Sequence, residues 1–197
     1  MKIVFFDVET SGLDAEHHEI IQIAAVATEN WEVRAQFEAK LDFDMAHASP
    51  EALEMNCYDK DVWLKEADHP GNVLNRFAQW LRPWADVQRV SKKSGKPFQT
   101  VRMGGHNLAF DMEFLRAAFR HHGAFCPADF LFLDTLQLAL WRDHRDHLGF
   151  ADYKLETLAA HLGVPIEGAH DALADITANV QVARLLLNLP TPTQPQE

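Results

Sequence analysis

Cysteine is scarce in this chain of 197 residues: there are two, Cys57 and Cys126. Two cysteines make neither a disulfide framework nor a zinc site. Long apolar runs are missing too. None approaches the ~18 residues that a membrane span requires, and no charged-then-apolar leader opens the sequence, so a cytoplasmic protein with no membrane contact is expected. Basic residues are outnumbered, 18 Lys and Arg against 29 Asp and Glu, a formal net charge of −11. That balance argues against a large basic surface for duplex nucleic acid. It leaves room for a nucleic-acid enzyme, because carboxylates that hold metal ions count as negative. Internal repeats and a Pro/Gly/Ser-rich linker are also absent, so one domain over residues 1–189 is expected. A composition 47% hydrophobic and 24% charged provides a core for it.

One stretch organises the rest. Ile3-Val4-Phe5-Phe6 runs into Asp7-Val8-Glu9, then into the turn Thr10-Ser11-Gly12-Leu13. The apolar run reads as a buried strand, and alternation along a strand turns Asp7 and Glu9 to the same side. Two carboxylates so placed repel each other unless a cation lies between them, and an all-oxygen pair suits Mg²⁺ or Mn²⁺. A strand end carrying two solvated acids is the alternative. Strands are expected next over Glu19–Thr28 and Trp31–Leu41, joined by the short Glu29-Asn30 turn as a meander. Helices are expected from Ser49-Pro50, over Asn72–Leu81, from Leu108 to about His122, over Thr135–Trp141, over Tyr153–Leu162 and over His170–Leu189. A short buried strand is expected at Phe130–Leu133, and Pro190–Glu197 reads as a disordered tail. Strands followed by interleaved helices and strands indicate an α/β fold with helices on both faces of a mixed sheet.

Two later segments carry acids in similar company. Asp111 closes Gly105-His106-Asn107-Leu108-Ala109-Phe110-Asp111. The dipole of a helix beginning at Leu108 favours an acid there, but the polar His106-Asn107 pair tilts the reading towards a site. Asp175 falls in the apolar run Ala172–Ala178, five residues after His170, which stands at a Gly168-Ala169 entry. His17, His18, His121, His122, His144 and His147 read as loop or helix-end residues. Between Val87 and Met103 stand Arg89, Lys92, Lys93, Lys96 and Arg102 with no acid. That window reads as a β-ribbon or a disordered loop, either a solvated surface or an arm that steers a single strand.

Asp7-x-Glu9, the His-Asn-x-x-Phe-Asp run ending at Asp111, and His170-x₄-Asp175 together resemble the three motifs of the DEDDh 3′–5′ exonucleases. The likeness extends to Thr10-Ser11-Gly12-Leu13, Leu133-Asp134-Thr135 and Tyr153–Ala159, and covers roughly Ile3 to Leu187. It implies an RNase H-like fold, a five-stranded mixed sheet flanked by helices. It implies two divalent cations held by Asp7, Glu9, Asp111 and Asp175, with His170 as general base. Thr10, Gly12, Leu13, Asn107 and Phe110 become substrate contacts, although Phe110 reads equally well as core. The expected substrate is the 3′ end of DNA, cut to nucleoside 5′-monophosphates, with single-stranded 3′ ends of nucleic acid as the expected partner. RNA ends are the alternative substrate and a non-catalytic binding module the alternative class. A polymerase or a second copy of the chain is the expected protein partner.

Overall fold

The computed structural model describes residues 1–166 and 172–188. The meander forms as expected: β1 (Lys2–Thr10), β2 (Ile20–Glu29) and β3 (Glu32–Lys40) pair antiparallel. Ser49 caps α1 (Pro50–Met55) by accepting from the Ala52 N–H at 3.3 Å. A short helix absent from the sequence reading, α2 (Lys60–Glu66), follows under an Asp59 cap and buries only Trp63. Then come α3 (Pro70–Leu81), the ribbon β4 (Val87–Val90) and β5 (Pro97–Thr100), and β6 (Met103–Gly105). The chain closes with α4 (Leu108–His121), β7 (Leu133–Asp134), α5 (Thr135–Asp146), α6 (Leu155–Leu162) and α7 (Ala172–Leu186).

The main sheet has the order β3-β2-β1-β6-β7, with β6 parallel to both β1 and β7. It is the mixed five-stranded sheet expected, flanked by helices, with β1 at its centre. The pleat of β1 divides the core. Val4, Phe6 and Val8 face α3 and α4 through Leu74, Phe77, Leu108, Met112 and Leu115. Ile3 and Phe5 face the other way, against Ile176, Val180 and Ala183 of α7. Among the described residues no helix is long and apolar enough to cross a membrane.

Two expectations need correction. The strand placed at Phe130–Leu133 is only Leu133–Asp134, and Phe130 and Leu131 are more than 60% exposed. An edge strand of two residues covers little of the chain before it, so apolar identity there did not mean burial. The helix expected to stop at Trp141 continues to Asp146 and ends where His147 turns left-handed at φ 54°. Of the two readings of the window 87–103 the ribbon is the one that forms, with Val87 opposite Thr100 and Val90 opposite Pro97, and Met103 already belongs to β6. The tail Pro190–Glu197 and the start of the last expected helix at His170 and Asp171 lie outside the described residues.

Candidate active site

The acids converge because three elements meet at one end of the sheet. Asp7 and Glu9 occupy the C-terminal half of β1 on the side of Ile3 and Phe5, the side that α7 covers. Asp175 lies in the first turn of α7, one residue before the buried Ile176. Asp111 comes from the first turn of α4, on the opposite face, and is almost fully buried. It reaches over the sheet end to accept the Val8 N–H at 3.0 Å.

Electrostatics record the same convergence. Burial raises the Asp111 carboxyl well above its usual value, and the charge of Asp7 raises it further. Burial likewise raises Asp7, with Asp175 adding to the rise, while a hydrogen bond from Asp111 partly offsets it. Glu9 is pushed up to about 7 by burial and then by the charges of Asp7 and Asp175. A cation between acids so placed would favour their ionised forms and oppose these shifts. The donor set is all carboxylate oxygen, which suits hard divalent ions. Among the described residues no three His, Cys, Asp or Glu side chains stand in finished metal-holding geometry.

The turn after β1 is held from several sides. Thr10 Oγ1 donates to the Gly12 carbonyl at 2.7 Å, and Asn56 Nδ2 donates to the Thr10 carbonyl at 2.8 Å. Ser11 N–H donates to the Glu19 carbonyl at 2.8 Å, and Ser49 N–H to the Ser11 carbonyl at 2.7 Å. A Cβ at Gly12 would come within 2.2 Å of His18 Cδ2, so the ring of His18 occupies the space that only glycine leaves. The turn presents Leu13, 84% exposed. Asn56 was not singled out in the sequence, and Ser49 and His18 read there only as a helix start and a loop histidine, since nothing near the three signalled contact with this turn. Asn107 is exposed at the start of α4 with a left-handed backbone, its N–H donating to Asp134 Oδ1 at 3.0 Å. Phe110 is half-buried, packed on the core and 4.9 Å from the Phe114 ring. His170 lies outside the described residues. The histidines set aside as loop or helix-end residues include His17, His18, His121 and His122, which with His47 line a cavity of about 480 Å³ beside the turn.

A family model described as Exonuclease, of the RNase T type, matches residues 4–92 and 98–183. The chain belongs to the DEDDh 3′–5′ exonuclease family. Among relatives of this exonuclease domain, the PolC-type DNA polymerase III of Listeria welshimeri is 31% identical over 183 residues, 92% of this chain and 11% of that protein. The same polymerase of Staphylococcus aureus is 28% identical over 180 residues, 91% of this chain and again 11% of that protein. The chain therefore spans about a tenth of these relatives. Solved structures share its RNase H-like fold. Escherichia coli exonuclease I in complex with a dT13 oligonucleotide superposes with a TM-score of 0.73 at 20% identity, covering 94% of this chain and 40% of that one. The zinc-bound form of the same enzyme with single-stranded DNA gives 0.74 at 19% identity, covering 95% and 40%.

Proposed function

We propose that this exonuclease removes nucleoside 5′-monophosphates from the 3′ end of single-stranded DNA in the cytoplasm, alone or beside a polymerase. The observation that carries the reading is the meeting of Asp7, Glu9, Asp111 and Asp175 at one sheet end, three of them with raised proton affinity. DNA is favoured over RNA by the relatives, which are DNA polymerases, and by a fold neighbour that holds dT13.

In this reading the four acids hold two divalent ions, Mg²⁺ or Mn²⁺. When bound, such ions neutralise a phosphodiester, acidify water and stabilise the leaving 3′ oxygen. The chain's own residues do the rest. His170 takes the proton of the attacking water, a role suited to an unperturbed pKa near ~6.5. Leu13 packs against the terminal base, and the backbone from Thr10 to Gly12, kept rigid by Asn56 and His18, meets the terminal sugar. Asn107, exposed at the head of α4, and Phe110 complete the contacts. The Asp111–Val8 hydrogen bond ties α4 to β1, so the ligands from the two elements keep their spacing while substrate exchanges.

The test is digestion of 5′-labelled single-stranded DNA, duplex DNA and RNA side by side, with Mg²⁺, with Mn²⁺ and with excess chelator. Stepwise shortening of single-stranded DNA that stops on chelation is expected, together with loss of turnover in Asp7→Ala. Undiminished cleavage in chelator would refute the metal reading, and faster shortening of RNA would move the substrate.

A further inference from the structure

The β4–β5 ribbon is not beside the acids. Lys2 N–H reaches Asp86 at 3.4 Å, Lys2 Nζ donates to the Pro83 carbonyl at 2.8 Å, and Arg102 donates to the Lys2 carbonyl at 3.2 Å. The ribbon is therefore rooted at the Lys2 end of β1, while Asp7 and Glu9 lie towards the other end, roughly 20 Å along the strand.

At that root the side chains form a continuous surface. Arg89 binds Asp129 with two hydrogen bonds of 2.7 and 2.6 Å, and Thr100 Oγ1 donates to the same carboxylate at 2.5 Å. Asp129 is 1% exposed and ionised, so it balances the charge of Arg89 and the pair is neutral as a whole. The Arg89 guanidinium lies 4.5 Å over the Phe130 ring, and Phe98, opposite Arg89 in the ribbon, meets Phe125 edge-on at 5.8 Å. Phe125 is 64% and Phe130 63% exposed, with Val90 and Leu131 exposed beside them. Arg102 is paired with Asp86. None of the ion pairs found among the described residues uses Lys92, Lys93 or Lys96, which crown the exposed turn. The family match is interrupted at residues 93–97, so this tip belongs to the chain rather than to the common body of the family.

We infer that the ribbon and the Phe125–Phe130 loop form a second binding surface for single-stranded nucleic acid, remote from the catalytic acids. Exposed rings and a stacked guanidinium suit unpaired bases, and three unpartnered lysines suit phosphates. On a protein of net charge −11 this surface, where Asp86 and Asp129 are each paired with an arginine and the tip lysines add positive charge, reduces the repulsion of a polyanion. The inference deepens the exonuclease reading by assigning long single strands as preferred substrates, since only they reach both places.

The experiment measures binding apart from catalysis. A fluorescein-labelled oligothymidylate twenty-mer is titrated in excess chelator against wild type, against the triple variant Lys92→Glu/Lys93→Glu/Lys96→Glu, and against Phe125→Ala. The charge reversal is expected to weaken binding at least tenfold, and to flatten the salt dependence by about two in log–log slope, from ~0.7 per phosphate contact. Phe125→Ala is expected to weaken it about fivefold or more, the usual worth of one stacked base. With Mg²⁺ added, KM should rise for the twenty-mer and stay at the wild-type value for a trinucleotide, which cannot span the distance. Unaltered twenty-mer binding in both variants would overturn the inference, as would an equal loss on the trinucleotide. A protein that binds through the ribbon yet cleaves nothing would instead refute the exonuclease reading and leave this inference standing.

Discussion

Asp111 Oδ1 accepts the backbone N–H of Val8 at 3.0 Å, across 103 residues of sequence. One carboxylate thus satisfies a buried strand amide and stands among the other acids. Its two duties can be separated. Asp111→Asn keeps the acceptor and removes the charge, so in chelator it should unfold at the same or higher urea concentration than wild type, with turnover abolished. Asp111→Ala leaves the Val8 amide unpaired and should be about 1–3 kcal/mol less stable than the Asn variant. Equal stability of the two variants would show that the hydrogen bond contributes nothing.

The metal-free acids should make stability fall with rising pH. The Glu9 carboxyl titrates at about 7 in the folded chain against 4.5 ordinarily. Between those values the folded state binds more protons than the unfolded state, so unfolding becomes easier as pH rises through the window. Asp7 and Asp111, also raised, act in the same direction. Urea unfolding in chelator should show the decline, and Glu9→Gln should lessen it. Saturating Mn²⁺, which favours the ionised acids, should flatten it. A decline identical in Glu9→Gln and wild type would remove Glu9 from this account.

Asp129 has the opposite sign. Burial raises its carboxyl, but Arg89, Thr100 and the Leu131 N–H together outweigh burial and bring it down to about 2 from 3.8. Its contribution is complete above the ordinary value and lost as pH falls towards about 2, where the folded carboxyl takes up its proton. Asp129→Asn should cost about 2–3 kcal/mol at neutral pH. That is below the ~3–5 kcal/mol for breaking a fully buried pair, because the Arg89 side chain keeps 27% exposure. Hydrogen exchange should quicken at the Val101 amide, which bonds Pro127 beside this pair. Unchanged exchange there would mean that the pair does not hold the ribbon to the body.

His170→Ala should lower kcat about 10²–10⁴-fold, the usual effect of removing a positioned base, with Mn²⁺ affinity close to wild type. The acidic limb of the kcat profile should flatten with it. Calorimetric Mn²⁺ titration of both proteins separates base from ligand: a variant whose rate excess Mn²⁺ restores would make His170 a ligand.

Much of this was legible along the chain. The apolar run before Asp7, the Glu29-Asn30 turn and the Ser49-Pro50 cap are local devices, and each produced the element its chemistry dictates. The acids could be named because their segments match a known constellation in order and interior. Where the reading failed, information from outside the segment was missing. Lys60–Glu66 is too short for a period to emerge, and Phe130 and Leu131 are apolar but uncovered.

The sequence by itself determined which residue types could meet a cation and that Asp7 and Glu9 share one side of a strand, since alternation is a property of the backbone. Tertiary structure alone decided which face α7 covers, so that Asp175 stands over Asp7 and Glu9 while Asp111 arrives from the other side. It also decided that Arg89 is matched to Asp129, 40 residues on, while the lysines at the ribbon tip are left at the surface. Pairing across such distances is settled when the sheet closes and buried charges must find partners, and no local pattern encodes which partner that will be.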